Sequence, residues 1–207
     1  MADQPTERLA ATRVPIHPLI AMRWSPRAFD PHAELAGEQV IGLLEAGRWA
    51  ATWGRREPVR FIVGMRSGQR PDETFTAITE LLNRGNNYAK AAGALILVCA
   101  DEGEDEKTAL YSGVDAGAAA ANIAIEAVAR GLVSHPMAGF DVAGARASFG
   151  IPASVRPLMV IAVGTLADYT TVDEQVAERD RLPRERLPLG QLAFSRAWDH
   201  PWEGLTR

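Results

Sequence analysis

The 207 residues are 47% hydrophobic and 23% charged, an ordinary globular balance that excludes a disordered or fibrous chain. Twenty-two basic against 26 acidic residues leave a net charge of −4, so the chain lacks the overall positive field that draws proteins onto nucleic acid or anionic lipid. A chain of this length can bury about 70% of its unfolded surface, enough for one core without disulfides or structural metal, and a single domain is expected over residues 1–207.

Residues 1–16 have little periodicity and read as an N-terminal extension. Asp3, Glu7 and Arg8 have no apolar stretch behind them, which speaks against an export signal, and no apolar run approaches the 18 or so residues of a membrane span. The first amphipathic helix is expected over Glu38–Ala50. Val59–Gly64, centred on Phe61-Ile62-Val63, reads as a strand, and Asp72–Leu82, opened by Pro71, as a second helix. Leu95–Cys99 is another strand; Cys99, the one cysteine, has no disulfide partner and is expected to be a small buried hydrophobe, which suits a reducing cytoplasm. Val114–Arg130 is a long helix rich in Ala and Gly, ending at Gly131, a candidate left-handed cap. Asp141 is placed to cap a short helix through Phe149 before Gly150, and Leu158–Val163 is a third apolar strand. Beyond Gly164 the pattern dissolves. An arm over 165–207, with arginines at 179, 181, 184 and 186 and prolines at 183, 188 and 201, either is disordered or wraps around something. Helices interleaved with three or four apolar strands imply an α+β layered fold whose sheet is covered on both faces.

Much chemistry is excluded. No two glycines are separated by a single residue, so the G-x-G-x-x-G turn of a Rossmann site is absent, and neither Gly42/Gly47 nor Gly139/Gly144 is followed by the Lys-Ser or Lys-Thr of a P-loop. His17, His32, His135 and His200 never pair at ligand spacing, and no serine stands in a G-x-S-x-G elbow.

Arg23-Trp24-Ser25-Pro26-Arg27 puts two guanidinium groups and a hydroxyl within five residues. Either it grips a phosphate, through the planar donor forks of arginine, or it is a solvated charge pair. Arg184-Glu185-Arg186 is a second basic pair, between Pro183 and Pro188, and reads as a partner for the first or as a charged tail. Between the long helix and the next, Gly131–Asp141 carries Pro136, Met137, Ala138 and Gly139, a stretch suited either to presenting main-chain N–H groups to a flat ring or to serving as a buried connector.

Taken together these segments resemble the FMN-dependent nitroreductase family. The resemblance runs from about residue 17 to 190, through Arg23-x-Ser25-x-Arg27-x-Phe29, Ala46–Ala50 leading to Pro58-Val59-Arg60-Phe61-Ile62-Val63, and Asn86-Asn87. It continues through Asp115-x-Gly117-x-Ala119, Gly131-Leu132, Pro136-Met137-Ala138-Gly139-Phe140-Asp141, the strand ending at Gly164, and Arg184-x-Arg186-x-Pro188. It implies a three-layer α+β fold with a mostly antiparallel central sheet flanked by helices, and a C-terminal extension wrapping a partner. It implies a cytoplasmic homodimer, with no nucleic-acid or membrane partner, and with FMN at the subunit interface. Arg23, Trp24 and Ser25, joined by Arg184 and Arg186, would stand at the phosphate and ribityl end; Arg27 would face the N1–C2 edge of the ring, where a fixed cation stabilises reduced flavin. The N–H groups around Ala138 and Gly139 would face N5 and O4, with Pro136 and Met137 shaping that backbone, and Asn86 or Asn87 would bond the pyrimidine edge. The implied activity is oxidoreduction by two half-reactions, from NADH or NADPH through flavin N5 to a nitroaromatic, quinone or similar small acceptor.

The chain departs from the family where the partner subunit usually reaches the flavin: small polar groups are replaced over Ala51-Thr52-Trp53-Gly54-Arg55-Arg56. Thr52 keeps a hydroxyl, whereas Trp53 and Arg55 either narrow the pocket and select a flat anionic substrate or face solvent or the partner. A ring capped by Trp53 would make the protein a non-catalytic FMN carrier of the same fold, the alternative to an enzyme.

Overall fold

Apolar runs without polar alternation require cover on both faces, which puts them at the middle of a sheet. The computed structural model, which describes residues 8–67 and 70–205, pairs β3 (Ala94–Asp101) with β5 (Val155–Gly164) at the centre of five strands. Outside β3 lie β1 (Val59–Ser67) and the short β2 (Arg70–Pro71); outside β5 lies β4 (Val133–Met137). The order β2-β1-β3-β5-β4 is antiparallel throughout, with Leu97 facing Ile62 on one side and Val160 on the other. The β3–β5 register slips between Val98 and Cys99, where the partner strand offers Pro157, which has no N–H to give.

Two helical layers cover the sheet. After the short α1 (Pro18–Met22), α2 (Gly37–Arg48) joins α4 (Glu106–Ala129) on one face to pack Leu43, Ala116, Ile123 and Ala127 onto Ile96, Val98, Ile161 and Val163. On the other, α3 (Glu73–Leu81) and α5 (Val142–Phe149) pack Phe75, Ile78 and Ala145 onto Leu95, Leu97, Cys99 and Val160. Cys99 is buried as expected, and that burial pushes its thiol up to about 11. The resulting three layers are the α+β architecture implied by the sequence.

Helix starts are set by aspartates whose carboxylates satisfy free backbone N–H groups: Asp72 accepts from Phe75 at 2.6 Å, Asp105 from Thr108 at 2.9 Å and Asp141 from Gly144 at 2.9 Å. Asp105 explains why α4 begins at Glu106 rather than at the expected Val114. Gly131 and Gly150 both end helices with positive φ, 72° and 60°.

Two expectations are corrected. The stretch from Gly131 to Asp141 is no mere connector: Val133–Met137 is the edge strand β4, hidden in the sequence by Ser134-His135-Pro136, and Pro136 is tolerated because one side of an edge strand needs no donor. Nor is the region beyond Gly164 wholly irregular. Asp173 caps α6 (Glu174–Arg181), accepting from Gln175 at 2.8 Å. Past Leu182 the arm continues with 3-10 turns at Leu189–Gln191 and Glu203–Leu205 and a bridge between Phe194 and Pro201. It leaves Leu187, Leu192, Trp198 and Trp202 exposed.

Close packing of α3 onto β1 depends on Gly64. A Cβ there would stand 2.3 Å from Phe75 N and 2.4 Å from its Cα, both backbone atoms that cannot rotate away. Gly64→Ala is therefore expected to cost about 2 kcal/mol, seen as a lower urea midpoint with unchanged slope; a midpoint equal to that of the parent would mean that α3 shifts freely off the strand.

Candidate functional site

The N-terminal segment and the arm meet at a buried carboxylate. Asp180, 2% exposed on α6, accepts from the Arg27 amide at 2.9 and 2.8 Å, from the Ala28 amide at 3.0 Å and from the Tyr169 hydroxyl at 3.1 Å. Its Oδ1 lies 4.0 Å from Arg27 Nη1. A carboxylate with this many donors fixes the loop from Arg23 to Ala28 against the last turn of α6. Arg184 adds a second tie. It donates to the carbonyls of Ala21 at 3.0 Å, of Arg23 at 2.8 Å and of Arg8. Arg8 in turn donates to Leu182 O at 2.7 Å and lies 4.5 Å from the Trp24 ring centroid.

These ties enclose a cleft of about 330 Å³ in which the cations of Arg8, Arg23, Arg27, Arg179, Arg184 and Arg186 outnumber the carboxylates of Asp180 and Glu185, with Ser25 among them. Arg23 donates to Ser25 Oγ at 3.1 Å. Burial, and then the charge of Arg186, hold the Arg23 guanidinium below the usual arginine range; burial and the charges of Arg23, Arg186 and Arg8 do the same to Arg184. Cations gathered this closely have the chemistry to receive an anion. Trp24 Nε1, in the same wall, is a buried N–H without a partner among the described residues.

A strip of packed side chains adjoins the cleft on the Arg27 side. The Arg27 guanidinium lies 5.5 Å from the Tyr88 ring centroid; Tyr88 packs at 5.1 Å and 49° on His135; and His135 Nδ1 is 2.9 Å from Pro26 O. The Tyr88 hydroxyl, pushed up to about 12 chiefly by burial, approaches Asn86 Oδ1 at 3.4 Å, and Asn86 Nδ2 donates to Gly139 O at 2.8 Å. Asn83 N donates to the same carbonyl at 3.0 Å. The strip thus brings Arg27 and Asn86 together with the backbone of Pro136, Met137, Ala138 and Gly139. Met137 turns its side chain into the core, while Ala138 is exposed, so main chain is what this corner presents. Asn87 is exposed, and the hydrogen bond to Gly139 belongs to Asn86.

Thr52, Trp53 and Arg55 lie elsewhere in the protomer. The Trp53 amide donates to Asp115 at 3.2 and 3.1 Å, and its indole stacks on Tyr111 at 5.0 Å and 13°, on the first half of α4. Gly54 and Arg55 both have positive φ, 61° and 57°, the second a strained value for a side-chain-bearing residue, and Arg55 is exposed. Thr52 lines a separate pocket of about 380 Å³ between α2 and β1. Within one protomer, then, these three residues do not join the cleft.

Asp180, Arg8, Tyr88 and His135 belong to the site's framework but not to the residues expected from the sequence. Asp180 was signalled only by its spacing three residues after Ala177, the other buried residue of α6, in a helix too polar for hydrophobic periodicity to reveal.

Residues 20–165 match the Nitroreductase family. The chain belongs to that family. A solved structure, that of an oxidoreductase containing FMN, is 30% identical, covers 90% of this chain and 94% of its own, and superposes with a TM-score of 0.82. Nitroreductase family relatives of lower identity share the fold, among them a nitroreductase family protein from Clostridium difficile (21% identical, 86% and 96% covered, TM-score 0.67). An uncharacterized 15.4 kDa protein from Mycolicibacterium smegmatis is 62% identical over 147 residues, 69% of this chain and 99% of its own. The family match ends at residue 165, so α6 and the arm with Arg184 and Arg186 lie beyond it. Among the described residues no helix is long and apolar enough to cross a membrane.

Proposed function

We propose that this member of the nitroreductase family is an FMN-dependent oxidoreductase that takes reducing equivalents from NADH or NADPH and delivers them to a nitroaromatic, quinone or similar small acceptor in two half-reactions. The observation that carries this reading is the convergence of Arg23 and Arg186, from opposite ends of the chain, on one cleft. The donor set fits a phosphate monoester: arginine forks and the Ser25 hydroxyl, with Arg184 held as a wall rather than a free ligand.

Arg23, Ser25 and Arg186 would hold the phosphate. Arg27, fixed through its own amide by Asp180 and resting on Tyr88, would offer its cation to the pyrimidine edge of the ring, where negative charge accumulates on reduction. Ala138 and Gly139 would offer main-chain N–H groups, with Asn86 holding the Gly139 carbonyl out of their way. Bound there, the isoalloxazine supplies hydride and electron chemistry that no side chain of this site possesses. The protein's own task is to hold donor and acceptor in turn against one exposed face.

The reading includes a second copy of the chain. The protomer exposes 12,677 Å², against about 9,400 Å² expected of a compact monomer of this size. Leu110 and Val114 stand exposed on α4, and the arm's tryptophans and leucines are uncovered. A homodimer in which the arm embraces its partner, and in which Thr52, Trp53 and Arg55 reach the partner's cleft, would account for both, and a cytoplasmic location suits the single buried thiol.

Anaerobic titration of purified, FMN-reconstituted protein with NADH and with NADPH tests the proposal. Bleaching of the flavin band by either is the expected result. A yellow protein that neither reductant bleaches would instead be an FMN carrier, and protein that retains no flavin after reconstitution would overturn both.

A further inference from the structure

Among the described residues, His135 offers an acceptor with no partner of its own, beside a wall rich in donors. Its Nδ1 lies 2.9 Å from Pro26 O, and a carbonyl can only accept, so the imidazole proton sits on Nδ1 and Nε2 carries the lone pair. Nε2 has no hydrogen-bond partner among the described residues, and it is not sealed from solvent as Trp24 Nε1 and Ser134 Oγ are. The ring cannot swing away, being pinned by Pro26 on one side and the Tyr88 ring at 5.1 Å on another. Burial, reinforced by the charges of Arg27 and Arg23 and opposed by the Pro26 hydrogen bond and Asp180, keeps the imidazole below its usual pKa and thus neutral.

Position narrows the chemistry further. Pro26 stands between Ser25, on the phosphate side of the loop, and Arg27, on the ring side, so His135 marks the middle of the path from cleft to strip. Of the charged groups that act on His135, Arg23 and Arg27 are donors and suit a phosphate or a ring carbonyl, which only accept, while the Asp180 carboxylate is already taken up by the Arg27 and Ala28 amides and the Tyr169 hydroxyl. A free acceptor at the midpoint calls for a ligand that brings O–H donors there. We infer that His135 is a direct ligand, through Nε2, of the hydroxyl-bearing chain of a phosphorylated polyol bound between the arginine cleft and the Tyr88 strip. This rests on the mononucleotide reading and deepens it, since it makes the polyol a recognised part of the cofactor rather than a spacer.

The test compares two flavin phosphates, FMN and an analogue whose phosphate is carried on a plain pentyl chain, in binding titrations with the full-length protein. Wild-type protein is expected to prefer FMN by about tenfold, the value of one hydrogen bond to a buried neutral acceptor. His135→Asn places an amide N–H where Nδ1–H stood, keeping the tie to Pro26, and removes Nε2; the preference should vanish through loss of FMN affinity alone. His135→Gln, which sets an amide oxygen near the Nε2 position and gives up the tie, should keep a preference while weakening both ligands, so an unfolded Asn variant still leaves the ratio measurable. Equal weakening of both flavins by His135→Asn, or an undiminished preference, overturns the role of His135 while leaving flavin binding standing. Failure of wild-type protein to bind either flavin overturns the mononucleotide reading and this one with it.

Discussion

Asp180→Ala is expected to lower stability by about 4 kcal/mol and to abolish tight FMN retention, although Asp180 would touch no part of the cofactor. The carboxylate serves two backbone amides, at Arg27 and Ala28, and one tyrosine hydroxyl, all of which lose their acceptor at once. Each buried donor left unsatisfied costs about 1–3 kcal/mol, and the Ala28 amide is fully buried, so partial rescue by water cannot recover the whole. The ion pair with Arg27 adds little by itself, because the guanidinium is 34% exposed and 4.0 Å away. For a chain of this length the melting temperature should fall by about 12 °C. Asp180→Asn separates positioning from charge. It keeps one oxygen for the amides while removing a negative charge from the wall of an anion site. Electrostatics alone would make that variant bind FMN more tightly; loss of loop geometry would make it bind more weakly. Weaker binding is expected, because an amide group can accept through only one of the two oxygens now in use. A melting temperature for Asp180→Ala within a degree or two of the parent would show that α6 is anchored by other contacts.

What the sequence disclosed and what it withheld follow from the same physics. Continuous apolar runs revealed β3 and β5, because strands covered on both faces leave no room for polar residues. Asp141 and Gly150 bracketed α5 correctly because capping and left-handed termination are local requirements, met within a few residues. β4 and α6 escaped notice for opposite reasons. β4 lies at an edge and takes its place from pairing with β5, a tertiary contact that its own composition does not encode. α6 buries only Ala177 and Asp180, so its helical character rests on the Asp173 cap and on propensity rather than on an apolar face.

The site divides along the same line. Arg23, Ser25 and Arg27 stand out in the sequence as a local cluster of donors, and 136–139 as a constrained stretch of backbone. Their organisers do not: Asp180 reaches across 153 residues to the Arg27 amide, and Arg184 across 161 to the Arg23 carbonyl. Each of those bonds joins chain ends whose proximity only the folded sheet creates. Arg184 illustrates the difference between composition and role. Its sequence context gives it the same standing as Arg186, yet its N–H groups are spent on carbonyls, whereas Arg186 is exposed and, among the described residues, donates only to the adjacent Glu185 O at 2.7 Å.

That difference yields the second large effect, which has opposite signs for the empty and the loaded protein. Arg186→Glu should stabilise the protein without flavin, modestly, while raising the FMN dissociation constant by a hundredfold or so. The empty cleft holds like charges together: Arg186 is the charge that, after burial, lowers the affinity of Arg23 for its own proton. A carboxylate in its place turns that repulsion into an exposed ion pair worth about 0.5 kcal/mol, enough for a small rise in melting temperature. Loading reverses the balance. The variant loses a charge-assisted contact to phosphate and sets an anion against it, together about 3 kcal/mol, which is the hundredfold loss. Riboflavin, which lacks the phosphate, should bind both proteins alike. Arg184→Ala should behave in the contrary way, destabilising the empty protein because the Ala21, Arg23 and Arg8 carbonyls lose their donor. If Arg186→Glu weakens riboflavin and FMN equally, or leaves FMN affinity unchanged, then the cation cleft is not where the phosphate binds.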